Sequence, residues 1–100
     1  MRFRMDDGTV VNTEKASRRW VGDQFFDGSN LCCKHTGTQY TAEDLYRSSK
    51  GRYYIVTSSI WQDVVDSARF ISKEHAAAWI LVNGDQLPED LKDAALSVEE

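Results

Sequence analysis

The chain has 100 residues, 41% apolar and 28% charged, with a single proline, Pro88; this length and balance describe one ordinary folded core rather than a disordered or two-domain chain. The formal charge of −4 is uneven: residues 1–84 carry 11 basic and 10 acidic side chains, residues 85–100 one basic and six acidic. A near-neutral body with an acidic end argues against general phosphate-backbone binding, which needs a clustered basic face.

Residues 1–8 hold no apolar run after their charges, and no stretch reaches the ~20 apolar residues that span a bilayer. The expectation is no membrane and no export. Cys32 and Cys33 are adjacent, which places their Cα atoms about 3.8 Å apart, too close for an ordinary disulfide. Free thiols are expected, in keeping with a cytoplasmic setting.

In chain order, two Asp-Gly pairs come first. Asp7-Gly8 separates Phe3-Arg4-Met5 from Thr9-Val10-Val11, and Asp27-Gly28 separates Trp20 to Phe26 from Leu31-Cys32-Cys33. Each suits a two-residue type I′ turn, so two hairpins are predicted. A third joins residues 43–49 to 52–58 through Lys50-Gly51, with expected pairs Arg47 and Tyr54, Tyr46 and Ile55, Leu45 and Val56. Alternation then puts Leu45, Val56, Arg47 and Tyr54 on one face and Tyr46, Ile55 and Tyr53 on the other. One face covers the core; the other is a second packed layer or an aromatic surface awaiting a partner.

Ala68 to Ile71 reads as a last short strand. Ser72 reads as the N-cap of a helix from Lys73 to Asn83, ended by Gly84. The run Ala76 to Val82 is apolar nearly all round, which predicts burial on more than one side. Pro88 suits the first position of a second helix, with an apolar stripe of Leu87, Leu91, Ala94, Ala95 and Val98. The predicted fold is α+β: an antiparallel meander of about five or six short strands, then two C-terminal helices on one face, in a single domain over residues 1–100.

Catalytic chemistry has no signature: the chain lacks Gly-x-Ser-x-Gly, His-Glu-x-x-His, a Walker loop and Gly-x-Gly-x-x-Gly. Cys32-Cys33-Lys34-His35 is the one cluster of soft ligands, and in a strand its two thiols point to opposite faces. No catalytic residue, metal or cofactor is expected, and a small hydrolase using Cys33 or His35 is the most distant reading. His75, in the first turn of the predicted helix, reads as a surface or rim residue. Trp20, Phe25, Phe26 and Trp61 lie at element ends, where exposed aromatics mark protein interfaces. With the sheet aromatics Tyr46 and Tyr54 and the acidic Asp85, Glu89, Asp90 and Asp93, they form the expected partner-binding set. The alternative is nucleic-acid binding through Arg47, Lys50, Arg52 and Tyr53, a basic and aromatic hairpin. Arg47 stacked across the strands on Tyr54 explains the same residues without a ligand. An uncovered sheet edge also leaves a homodimer open.

Leu45-Tyr46-Arg47-Ser48, Lys50-Gly51-Arg52-Tyr53-Tyr54-Ile55, the Ser59–Trp61 segment, and Ala77-Ala78-Trp79-Ile80 followed by Asn83, Leu87, Pro88, Glu89, Asp90 and Leu91 resemble a group of small bacterial proteins, many of them carried by phages, plasmids and other mobile elements. Thr13-Glu14-Lys15-Ala16 resembles its N-terminal part. The resemblance covers most of the chain and brings no functional residue with it. It implies a genomic setting in which small acidic accessory proteins occupy the surface of a larger host machine, as anti-CRISPR and other anti-defence proteins do. A non-enzymatic protein that binds a larger host protein is therefore the leading expectation.

Overall fold

A computed structural model describes residues 1–37, 40–59 and 66–94. Among these residues lie eight strands: β1 (Arg2–Arg4), β2 (Val10–Asn12), β3 (Arg18–Val21), β4 (Gln24–Phe26), β5 (Leu31–Cys33), β6 (Thr41–Arg47), β7 (Tyr53–Ser59) and β8 (Ser67–Phe70). They form a four-stranded antiparallel sheet in the order β3-β6-β7-β8 and two separate hairpins, β1-β2 and β4-β5. Helix α1 (Lys73–Asn83) follows, and a 3-10 turn at Glu89–Leu91 leads into helical backbone at residues 92–94. The class is α+β, strands first and helical elements last. No helix among the described residues is long and apolar enough to cross a membrane.

The strand count exceeds the expected five or six partly because Trp20 to Phe26 is not one strand. At Gly22 the chain leaves the large sheet so close to β6 that a Cβ would fall against the Glu43 carbonyl oxygen. Gly22 N–H donates to the Asp44 carboxylate at 3.0 Å instead of continuing the ladder. Only glycine permits that approach, and it sends β4 into its own hairpin.

All three predicted hairpins form, each with a different turn from the one expected. Ser48 N–H donates to Arg52 C=O at 2.8 Å and Gly51 N–H to Ser48 C=O at 3.0 Å, so the β6-β7 loop has three residues and ends in Gly51 at φ 89°. The same pattern closes β1-β2 between Met5 and Thr9, with Gly8 at φ 88°. A type I′ turn needs positive φ at both central residues, and no non-glycine residue among those described has it. In β4-β5 the central pair is Gly28-Ser29, with the Asp27 carboxylate accepting from Ser29 and Asn30 N–H at 2.8 Å each.

The extra loop residue slips the β6-β7 register by one. Arg47 stands opposite Tyr53, Tyr46 opposite Tyr54, Leu45 opposite Ile55 and Asp44 opposite Val56, so the expected partners are replaced throughout. One face carries Leu45, Tyr53 and Ile55, which with Trp20 pack on Ala76, Ala77, Trp79 and Ile80 of α1 and on Leu91. The other carries Tyr46, Tyr54 and Val56, covered by Met5 and Val11 of the first hairpin and by Phe3 and Phe70. Both faces are packed. The expected stack of Arg47 on Tyr54 does not form, since the two side chains lie on opposite faces.

Helix α1 has the expected limits: Ser72 Oγ accepts from His75 N–H at 3.1 Å, and Gly84 takes the left-handed conformation at φ 84°. Its burial is one-sided, with Leu81 and Val82 exposed, against the expectation of burial on more than one side. Pro88 precedes the helical turn rather than opening it, in extended backbone at ψ 160°. Leu91 is fully buried, and Leu87 and Ala94 pack beside it; the expected stripe residues Ala95 and Val98 lie outside the described residues. Complete burial of Leu91 or Ile80 contributes about 1.5–3 kcal/mol each.

Candidate binding surface

Hairpin β4-β5 is held at its base and bare at its tip. Its pairs are Gln24 with Cys33, Phe25 with Cys32 and Phe26 with Leu31. Cys32 and Cys33 are buried, and Lys34 N–H donates to Asp23 C=O at 2.9 Å. Cross-strand partners project to the same side, so Phe26 and Leu31 form one apolar pair, 67% and 59% exposed. Phe25 is 39% exposed on the other side, and Val21, at the end of β3, is 63% exposed. Two opposed large apolar side chains exposed together, unlike a single exposed leucine, mark an interaction surface.

Beneath the hairpin a polar knot ties it to α1. The Asn83 side chain is buried; its Oδ1 accepts from Asp23 N–H and meets His35 Nε2 at 2.9 Å, while Nδ2 donates to Val21 C=O at 3.1 Å and to the Asp85 carboxylate. An amide oxygen only accepts, so His35 carries its proton on Nε2. The imidazole stacks on Trp79, whose Nε1 donates to the Glu43 carboxylate at 3.3 Å. Lys34 pairs with Asp23 at 2.7 Å, and that hydrogen bond, followed by one from Gln24 N–H, lowers the Asp23 carboxyl below its ordinary value.

These contacts also define the chemistry of the thiols. Burial, then the neighbouring Asp27, pushes the Cys32 thiol up, and its Sγ–H faces the Asp27 carboxylate at 3.5 Å. A thiol held protonated is a poor nucleophile. His35 is engaged with Asn83 and Trp79, and His75 is exposed on the first turn of α1. Among the described residues no three His, Cys, Asp or Glu side chains are grouped to hold a metal.

The expected partner-binding residues are scattered. Trp20, Tyr46 and Tyr54 are in the two cores, at 4%, 8% and 0% exposure; Phe25 and Phe26 are at the hairpin tip; Trp61 lies outside the described residues. Asp90 accepts from Tyr53 O–H at 2.9 Å and from Arg47 Nε at 3.3 Å. Burial raises its carboxyl, but the bonds from Tyr53 and Arg47 outweigh that and leave it below the usual range. Asp85 is held by Asn83, Glu89 pairs with Lys92 at 3.0 Å, and Asp93 is exposed. Of the alternative nucleic-acid set, Tyr53 is buried, Arg47 is bound to Asp90 and Ser17, Arg52 pairs with Asp7 at 3.1 Å over the Phe70 ring, and Lys50 is exposed. No exposed stacking platform remains on that hairpin, because all three of its tyrosines, Tyr46, Tyr53 and Tyr54, face a core.

Val21, Leu31 and Asn83 were not among the residues singled out from the sequence. Leu31 could have been found, because a turn centred on residues 28 and 29 pairs it with Phe26. Asn83, the last residue of α1, carries no sequence signal for its role. Comparison with protein-family models, curated proteins and solved structures finds no match to the chain.

Proposed function

We infer that the protein is a non-catalytic binding module that docks on a larger host protein through the tip of β4-β5, with Phe26 and Leu31 as the contact pair. The observation that carries this is the exposure of two opposed large apolar side chains on a hairpin whose base is fixed by Asn83 and by buried Cys32 and Cys33. A preorganised apolar pair loses little conformational entropy on docking, which favours affinity. The exposed carboxylates Glu89 and Asp93 suit a partner with a basic surface. Occupancy of a host machine in this way is one way in which anti-defence proteins often act, the analogy that the sequence resemblance suggests.

The test is affinity capture from the cytoplasm of the natural host with wild type, Phe26→Ser/Leu31→Ser and the control Leu81→Ser, which alters an exposed apolar residue of α1. One stoichiometric partner held by wild type and control but lost by the double variant is expected. Equal capture by all three, or by none, contradicts the proposal.

A further inference from the structure

A second concave surface lies at the opposite face of the sheet from α1. The first hairpin with the 3-10 turn at Thr13–Lys15 forms one wall, the β6-β7 turn forms the other, and Tyr54 and Phe70 lie between them; the groove holds about 460 Å³. That volume is in the range of small-molecule sites. Arg2 and Lys15 come from the first wall and Lys50 and Arg52 from the second, and among the described residues no carboxylate lines the groove. Arg2, Lys15 and Lys50 are exposed and pair with no carboxylate among the described residues. Arg52 is fixed, its guanidinium 3.5 Å from the Phe70 ring centroid and one nitrogen on Asp7. In a chain of net charge −4, four cations converging on a groove from two elements are a local reversal of sign.

Tyr54 closes the floor of the groove. Its ring is fully buried between Tyr46 and Phe70, and its hydroxyl, itself shut off from solvent, has no hydrogen-bond partner among the described residues.

We propose that this groove binds a small diphosphate-bearing anion, with Arg2 and Lys15 on one side and Lys50 and Arg52 on the other, above a floor of Tyr54 and Phe70. Cations on both walls match a ligand with charge at both ends, and the separate walls suit two phosphate groups better than one. The site is distinct from the β4-β5 tip, and neither depends on the other.

Two-dimensional amide NMR with inorganic pyrophosphate, ADP and adenosine at low salt is the test. Pyrophosphate and ADP should shift the Thr9, Val10 and Ser49 amides, and adenosine should not. Tighter binding of ADP than of pyrophosphate identifies an organic ester as the ligand, and equal binding an inorganic one; either supports the proposal. Arg2→Ala/Lys50→Ala, which removes two exposed side chains without described ion pairs, should keep the native spectrum and weaken pyrophosphate binding about tenfold or more, the scale of one lost charge-assisted hydrogen bond. The proposal is overturned if neither anion shifts those amides, if the double variant binds as wild type does, if shifts are equally large around Arg18, Arg19 and Lys34, or if single-stranded oligonucleotide binds with affinity that grows with length while ADP does not bind.

Discussion

The imidazole of His35 lies flat on the indole of Trp79, ring centroids 3.8 Å apart and planes 6° from parallel. The stack joins the loop after β5 to α1, and Asn83 locks it by accepting a hydrogen bond from His35 Nε2–H and bonding to Val21 and Asp23 at the same time. Removing that amide takes these partners from the Val21 carbonyl and the Asp23 N–H. Asn83→Ala is expected to cost about 1–3 kcal/mol in urea unfolding, whereas Leu81→Ser, two residues away and exposed, should stay within about 0.5 kcal/mol. Equal, small effects would show that the knot is dispensable.

The core makes a simpler prediction. Ile80 and Leu91 are both fully buried in the cluster beneath Leu45 and Ile55. Ile80→Ala and Leu91→Ala should each destabilise by about 2–5 kcal/mol, read from chemical denaturation. A loss near zero for Leu91→Ala would mean that the C-terminal segment does not close this core.

Stability should fall at both ends of the pH range. Asp7 is held at about 2, first by the backbone and side-chain hydrogen bonds at Thr9 and then by Arg52; Asp23, Asp27 and Asp90 are also lowered. A carboxyl depressed in the folded state stabilises it above its unfolded value of 3.8, and that contribution is lost as pH falls from there toward 2. Tyr53 and Tyr54 are shifted the other way, chiefly by burial, Tyr54 to about 12. Their contribution is complete below the ordinary value of 10 and is lost as pH rises through the raised values. Melting temperature should decline below about pH 4 and above about pH 10. Tyrosinate absorbance from these two residues should appear together with unfolding; early ionisation at pH 10 would contradict their burial.

The register of β6-β7 rests on one glycine. Gly51 at φ 89° ends the three-residue loop, and a side chain there costs about 1–2 kcal/mol of left-handed strain. Gly51→Ala should lose that much stability in a thermal melt. No loss would indicate that the turn adopts a different geometry.

Much of the fold was legible because local chemistry settles it. Ser72 and Gly84 set the limits of α1 through their own cap geometry, and each glycine turn placed a hairpin. The faces of the sheet were not legible, since one loop residue at Ser49-Lys50-Gly51 exchanges every cross-strand partner and a bulged turn uses the same residue types as a two-residue one. Trp20 was expected at the surface because it lies at an element end; the pairing of β3 with β6 sets it opposite Leu45, on the face packed against α1. Phe25 and Phe26 were legible as surface aromatics flanking a turn. The groove around Tyr54 was not, because Arg2 and Lys50 are brought together only by the folding of the first hairpin over the sheet.

The most direct measurement of the proposed docking surface is site-specific photo-crosslinking in the natural host, with a photoreactive phenylalanine at position 26 and, separately, at position 82 on the exposed side of α1. A single covalent adduct with a larger protein from position 26, and none from position 82, is the expected result. Adducts equally strong from both positions, or from position 82 alone, would place the contact elsewhere and contradict it.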